Sequence, residues 1–197
     1  LIAIILMSGS LSIHDIVTQQ SGQLYEGWPI FSWLPNGTAW NIFYQPIGFI
    51  IFLVCAFAEC NRTPFDLPEC EQELVGGYHT EYSSMKFALF FMGEYAAMII
   101  GSGMAVTLFL GGWSIPFAPY LGLSFEAGNT PWWLGLLHIA TFFAKVFAFI
   151  LFFIVIRWTL PRFRFDQLMA LGWKVFFELA LANVFLTALL MWWFPLK

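Results

Sequence analysis

The sequence predicts an all-α fold, a polytopic transmembrane helix bundle with five spanning helices in one membrane domain. Three observations predict it. Of 197 residues, 60% are hydrophobic, 20% aromatic and only 10% charged, with a mean hydropathy of +0.76. Ordinary soluble domains carry roughly 25% charged residues, so a water-exposed fold of this composition would have little to cover itself with. Five stretches, 1–17, 42–58, 87–110, 132–156 and 171–194, are apolar over about the 17–25 residues a helix needs to cross a bilayer. These runs are apolar all round, which excludes a membrane β-barrel, whose strands alternate apolar and polar residues.

The first run begins at Leu1 with no basic segment or small-residue cleavage site before it, so it is not read as a signal peptide. It reads as the remainder of a helix, and the chain as the C-terminal part of something longer. His14 and Asp15 fall at its outer end, where an interfacial position is expected. The connections 18–41 and 111–131 contain no Lys or Arg and are rich in Gly, Pro and Trp, as in GWPIFSWLPNG. Trp28, Trp33, Trp113, Trp132 and Trp133 suit an interfacial aromatic belt. The connections 59–86 and 157–170, with Lys174 just beyond, hold Arg62, Lys86, Arg157, Arg162, Arg164 and Lys174. The positive-inside rule puts these two on the cytoplasmic side. Five spans with alternating sides then place the C-terminus outside.

The remaining totals narrow the function. A net charge of −4 gives no reason to expect nucleic acid, whose binders concentrate basic residues. Cys55, Cys60 and Cys70 have no CxxC spacing, and the three His are scattered. No zinc, iron–sulfur or other metal site is expected from them. No repeat of interrupted helices, the mark of an inverted-repeat transporter, is visible.

Two charges stand inside apolar runs. Glu94 lies in FFMGEYAAMII and Lys145 in TFFAKVFAF. A charge near the bilayer centre costs at least ~2.5–3.5 kcal/mol, so such residues face protein or water and are functional candidates. The two could neutralise one another or stand on one hydrated proton path. Lys145 could instead snorkel toward an interface, and Glu178 is close enough to its helix start to reach the headgroups.

The longest polar run, from Glu59 to Met85, carries six of the twelve acidic residues: Glu59, Asp66, Glu69, Glu71, Glu73 and Glu81. Asp66-Leu67-Pro68-Glu69 reads as a helix start, with Asp66 as cap and acids in the first turn. Arg62 is the single basic residue between Glu59 and Glu81. Closely spaced carboxylates oppose each other's ionisation, and groups that titrate near neutrality are what a proton path requires. Gly76-Gly77 permits a hinge. A solvated acidic surface is the plain alternative, but Phe65, Leu67, Leu74, Val75, Tyr78 and Tyr82 interleave with the acids and favour a packed loop.

These residues resemble a known family. AECNRTPFDLPECEQELVGGYHTEYSSMKF is similar to the signature loop of the H-subunit family of NADH-quinone oxidoreductase, respiratory complex I. LPRFRFDQLMALGWK and GEYA resemble the same family. The resemblance covers essentially the whole chain and lacks about three upstream helices. It implies a membrane component that anchors the hydrophilic arm and walls the chamber of ubiquinone or menaquinone. FMN and iron–sulfur clusters would belong to partner subunits, no redox centre to this chain, and the location would be the bacterial inner membrane. By the same resemblance Glu59, Arg62, Asp66, Glu69, Glu71, Glu73 and Glu81 belong to the loop that responds to quinone, and Tyr82, interleaved at its end, is a candidate with them. The resemblance also puts Glu94 on the proton path and Arg162 and Arg164 in the second cytoplasmic loop beside the cavity, while Lys145 is a proton-path candidate from its place in an apolar run alone. Two alternatives carry other expectations: the homologous component of a membrane-bound hydrogenase or related dehydrogenase, and a stand-alone ion transporter with Glu94 and Lys145 as its site.

Overall fold

The computed structural model describes residues 1–21, 40–65, 82–115 and 131–193, and all regular elements among them are helical. In chain order these are α1 (Ile2–Ser8), α2 (Ile13–Ser21), α3 (Asn41–Tyr44), α4 (Pro46–Glu59), α5 (Met85–Phe109), α6 (Trp132–Thr159), α7 (Phe165–Leu171) and α8 (Phe177–Trp193). A π-helical turn, Gly172–Phe176, joins α7 to α8.

Among the described residues three helical stretches are long and apolar enough to cross a bilayer: Met85–Phe109, Trp132–Thr159 and Phe165–Trp193. The first two match the expected runs 87–110 and 132–156 to within three residues at each end. The third begins well before residue 171, so the non-helical part of the expected loop 157–170 shrinks to a few residues around Pro161. The cause is the stretch FDQLMAL, whose start is fixed when the Arg164 backbone N–H donates to Gln167 Oε1 at 3.3 Å.

The first two expected spans need correction. Residues 1–17 do not form one straight helix. α1 stops at Gly9, which adopts φ +64°, a left-handed cap that glycine takes without Cβ strain. α1 and α2 then diverge by 66°, and only as a bent pair do they reach spanning length. Several polar groups at the break are satisfied internally, as apolar surroundings demand, although Gln19 Oε1 has no partner among the described residues. Ser8 Oγ donates to the Ile5 and Ser10 carbonyls, and Gln19 Nε2 donates to the Ser8 carbonyl at 2.9 Å. Asp15 sits in the first turn of α2 and accepts from Ser10 Oγ at 2.7 Å. Residues 42–58 are divided at Gln45. Pro46 disfavours helical geometry in the residue before it, and Gln45 has φ −131°, ψ 56°. What remains is α4, a shorter apolar helix with proline in its first turn.

Apolar clusters hold the helices together, a small one around Met7, Tyr44 and Met191 tying α8 to α1 and α3, and two larger ones elsewhere. Phe57, Cys60, Phe65, Met98 and Phe153 join α4, the turn after it, α5 and α6. The Phe57 and Phe153 rings lie 4.0 Å apart between centroids. Ile4, Ile16, Leu108 and Phe109 join α1 and α2 to the far end of α5. Much of the outer face of α5, α6 and α8 is exposed apolar surface, including Ile100, Phe147 and Leu189. Lipid tails are as apolar as these side chains, so this surface is at home in a bilayer.

Candidate functional site

α4 ends at Glu59, and the chain then turns sharply. Asn61 takes φ +47°, which Asn tolerates better than most residues. The Phe65 N–H donates to the Arg62 carbonyl at 2.9 Å and closes the turn. The Phe163 N–H donates to the Pro64 carbonyl at 2.9 Å, and the Phe65 and Phe163 rings stack at 5.6 Å. The two segments expected on one side of the membrane are therefore in contact at one end of the bundle.

The turn directs Arg62 inward, where it is 5% exposed. Arg62 Nη2 comes within 3.4 Å of Glu94 Oε2 on α5. Neither atom makes a hydrogen bond among the described residues, so the contact is an ion pair at long range. The guanidinium lies over the Tyr95 ring, 4.8 Å from its centroid. Cys60 is buried beside the pair. Burial pushes its thiol pKa up, the negative charges of Glu59 and Glu94 add to the shift, and Arg62 opposes it.

Lys145 is elsewhere. Its Nζ donates to the carbonyls of Leu110 (2.8 Å), Gly112 (3.0 Å) and Ser114 (2.7 Å), and lies over the Trp40 ring at 4.7 Å. An ammonium has three N–H donors and no acceptor, so its capacity is filled. These carbonyls follow the C-terminus of α5, where the helix dipole favours a cation. Two amides complete the closure of that end. Gln20 Nε2 donates to the Thr107 carbonyl, Gln20 Oε1 accepts from the Gly111 and Asn41 backbone N–H groups, and Asn41 Nδ2 donates to the Leu108 carbonyl. A helix leaves its last four carbonyls without intrahelical donors, and here side chains supply several of them. Glu94 and Lys145 thus meet α5 at well-separated levels, roughly 24 Å apart along its axis by residue spacing. The expectation that they neutralise one another is corrected: Glu94 meets Arg62, and Lys145 caps the helix.

Of the other expected site residues, Glu59 ends α4, is exposed, and lines a groove of about 600 Å³ between α1, α4, α5 and α8. Tyr82 packs edge-on against Phe90 at 5.0 Å. Arg162 and Arg164 are exposed in the connection between α6 and α7. Asp66, Glu69, Glu71, Glu73 and Glu81, with Gly76-Gly77 and the expected cap, lie outside the described residues. Three participants went unread in the sequence: Tyr95, Gln20 and Asn41. Tyr95 stands inside the GEYA motif and could have been found there. The two amides look like any polar residues at the edge of a connection.

The chain matches the NADH dehydrogenase family over residues 1–188. The chain belongs to that family. It is 50% identical over 187 residues to the NADH-quinone oxidoreductase H-subunit 1 of Cytophaga hutchinsonii, covering 95% of this chain and 48% of that protein. It is 47% identical over 189 residues to the NADH-quinone oxidoreductase H-subunit of Flavobacterium psychrophilum, covering 96% and 50%. With NADH-quinone oxidoreductase subunit 8 of Rhodothermus marinus the identity is 48% over 188 residues, covering 95% and 52%. The chain spans about half the length of these relatives. The resemblance read from residues 58–87, 93–96 and 160–174 is borne out across nearly the whole chain. With three spanning-length apolar helices, this member of the NADH dehydrogenase family is an integral membrane protein.

Proposed function

We propose that this chain forms part of the multi-pass membrane subunit of a proton-pumping NADH-quinone oxidoreductase in the bacterial inner membrane. It walls the access to quinone, ubiquinone or menaquinone, and couples reduction of the quinone to proton translocation. FMN and iron–sulfur clusters belong to partner subunits, and this chain contributes no redox centre. The observation that carries the reading is the shielded Arg62–Glu94 contact, 3.4 Å long, where the acidic connection meets α5.

Reduction of quinone beside residues 59–81 changes the local charge and the protonation of Glu59, Asp66, Glu69, Glu71, Glu73 and Glu81. Arg62 stands near the start of that stretch and faces Glu94, so a change in the loop alters the field at an intramembrane carboxylate. A carboxylate held by one long ion contact, with the cation also resting on Tyr95, is poised to exchange partners. The coupling is a local charge event that biases a two-state packing arrangement. Tyr82, Arg162 and Arg164 border the same end of the bundle and orient the loop. Lys145 enters this scheme as an anchor rather than a carrier, because its donors are fully engaged.

The stand-alone transporter reading required Glu94 and Lys145 in one site, and they meet α5 at well-separated levels. The deciding experiment uses inverted membrane vesicles containing the assembled complex. Glu94→Gln and Arg62→Ala each should depress NADH-driven quinone reduction coupled to proton uptake. Full pumping with both substitutions present would sink the proposal.

A further inference from the structure

A second cavity, of about 440 Å³, opens between the Arg62 turn, α5 and the C-terminal end of α6. Arg62, Arg157 and Tyr95 supply its polar side, and Phe153, Ile154 and Trp158 most of its apolar side. Arg62 is only 5% exposed, and its Nε and Nη2 have no hydrogen-bond acceptor among the described residues. Glu94 is the one carboxylate within ion-pair distance of Arg62 among the described residues. Among the described residues, two guanidiniums and one carboxylate meet at this cavity. Arg157 lies in the last turn of α6, and its neighbour Trp158 is 84% exposed. Exposed Trp beside Arg at a helix end marks the headgroup level of a bilayer.

From this arrangement we propose that the cavity binds an anionic phospholipid. Its phosphate sits between Arg62 and Arg157, and an acyl chain lies along Phe153 and Ile154. Guanidinium presents paired N–H donors that match phosphate oxygens. Basic pockets between membrane helices on the cytoplasmic side take anionic headgroups, and this end of the bundle also carries Arg162, Arg164 and Lys174. A free inorganic anion would satisfy the guanidiniums but leave the aromatic and aliphatic wall uncovered, so the lipid fits better. The site shares Arg62 and Tyr95 with the coupling scheme, but Arg157, Ile154 and Trp158, on which its test turns, take no part in that scheme.

The test uses the intact complex, containing the full-length protein, reconstituted in nanodiscs with a phosphatidylglycerol bearing an acyl-chain diazirine. Photolabelling followed by peptide mapping should mark the segment around Phe153 and Ile154. Unlabelled phosphatidylglycerol should compete and phosphatidylcholine should not. One Lys or Arg near the membrane surface contributes ~1 kcal/mol to anionic-lipid attraction, so Arg157→Gln should lower labelling about fivefold and Arg157→Lys should retain most of it. Ile154→Trp, which fills the cavity without changing its charge, should also remove the label. Absence of label on α6, equal competition by phosphatidylcholine, or undiminished labelling in Arg157→Gln or Ile154→Trp overturns the proposal. Loss of labelling in excess inorganic phosphate at constant ionic strength would assign the site to the free anion and overturn the lipid.

Discussion

Arg62 Nη2 and Glu94 Oε2 stand 3.4 Å apart, with side chains 6% and 17% exposed, and Cys60 is the thiol that senses both charges. Burial is the largest cause of its raised pKa, and the neighbouring charges modulate it with opposite signs.

That thiol gives a signed test of the pair. In a variant whose other cysteines, Cys55 and Cys70, are replaced by Ala, the rate of Cys60 methanethiosulfonate labelling reports thiolate fraction. Labelling should be slow at neutral pH and rise only above the ordinary thiol pKa. Glu94→Gln removes a charge that raises the Cys60 pKa, so the rate profile should move to lower pH. Arg62→Ala removes the charge that lowers it, so the profile should move to higher pH. Shifts of the same sign in both variants would contradict an electrostatic coupling.

Lys145 carries a different expectation. Lys145→Met leaves the Leu110, Gly112 and Ser114 carbonyls without their donor, and a buried unsatisfied acceptor costs about 1–3 kcal/mol. The melting temperature of the detergent-solubilised protein should fall by at least ~5 °C. Lys145→Arg should also destabilise, because a planar fork does not reproduce three bonds from one point. An unchanged melting temperature for Lys145→Met would show that the cap contributes nothing.

The turn after α5 makes a third case. Gly112 has φ +53°, and a Cβ there would lie 2.9 Å from Val17 Cγ2. Gly112→Ala should therefore destabilise by about 1–2 kcal/mol from backbone strain alone, with the Val17 contact adding to it. Gly93, inside α5 and beside Glu94, has nothing within 4 Å of its Cβ position. Gly93→Ala should be neutral or stabilising by up to ~1 kcal/mol, read by the same thermal melt. Equal effects at the two glycines would refute the distinction.

Long apolar runs were legible because hydropathy needs no tertiary information: α5 and α6 appear close to where composition puts them. The breaks at Gly9 and Gln45 were not. The runs are interrupted only briefly, at Ser8-Gly9-Ser10 and at Gln45-Pro46, and a single Gly or Pro is tolerated in many membrane helices. Glu94 and Lys145 were legible as misplaced charges, but their partners were not. Charge balance suggested that they meet. The Asn61 turn brings Arg62 to one, and backbone carbonyls, which any sequence possesses, satisfy the other. The acids from Asp66 to Glu81 fall outside the described residues, and their grouping rests on their spacing in the chain.

The closure at the C-terminus of α5 has a mechanical consequence. Gln20, Asn41 and Lys145 fasten that end to α2, α3 and α6 by hydrogen bonds, while the Glu94 end meets the Arg62 turn through the long ion contact, the Arg62–Tyr95 contact and apolar packing at Met98. The hydrogen-bonded end of α5 is therefore the one near Gly111. The helix cannot slide along its own axis without breaking several buried hydrogen bonds, but it can tilt or roll. Any rotation about that fastened end would displace Glu94 more than the residues near Gly111, because displacement grows with distance from the pivot.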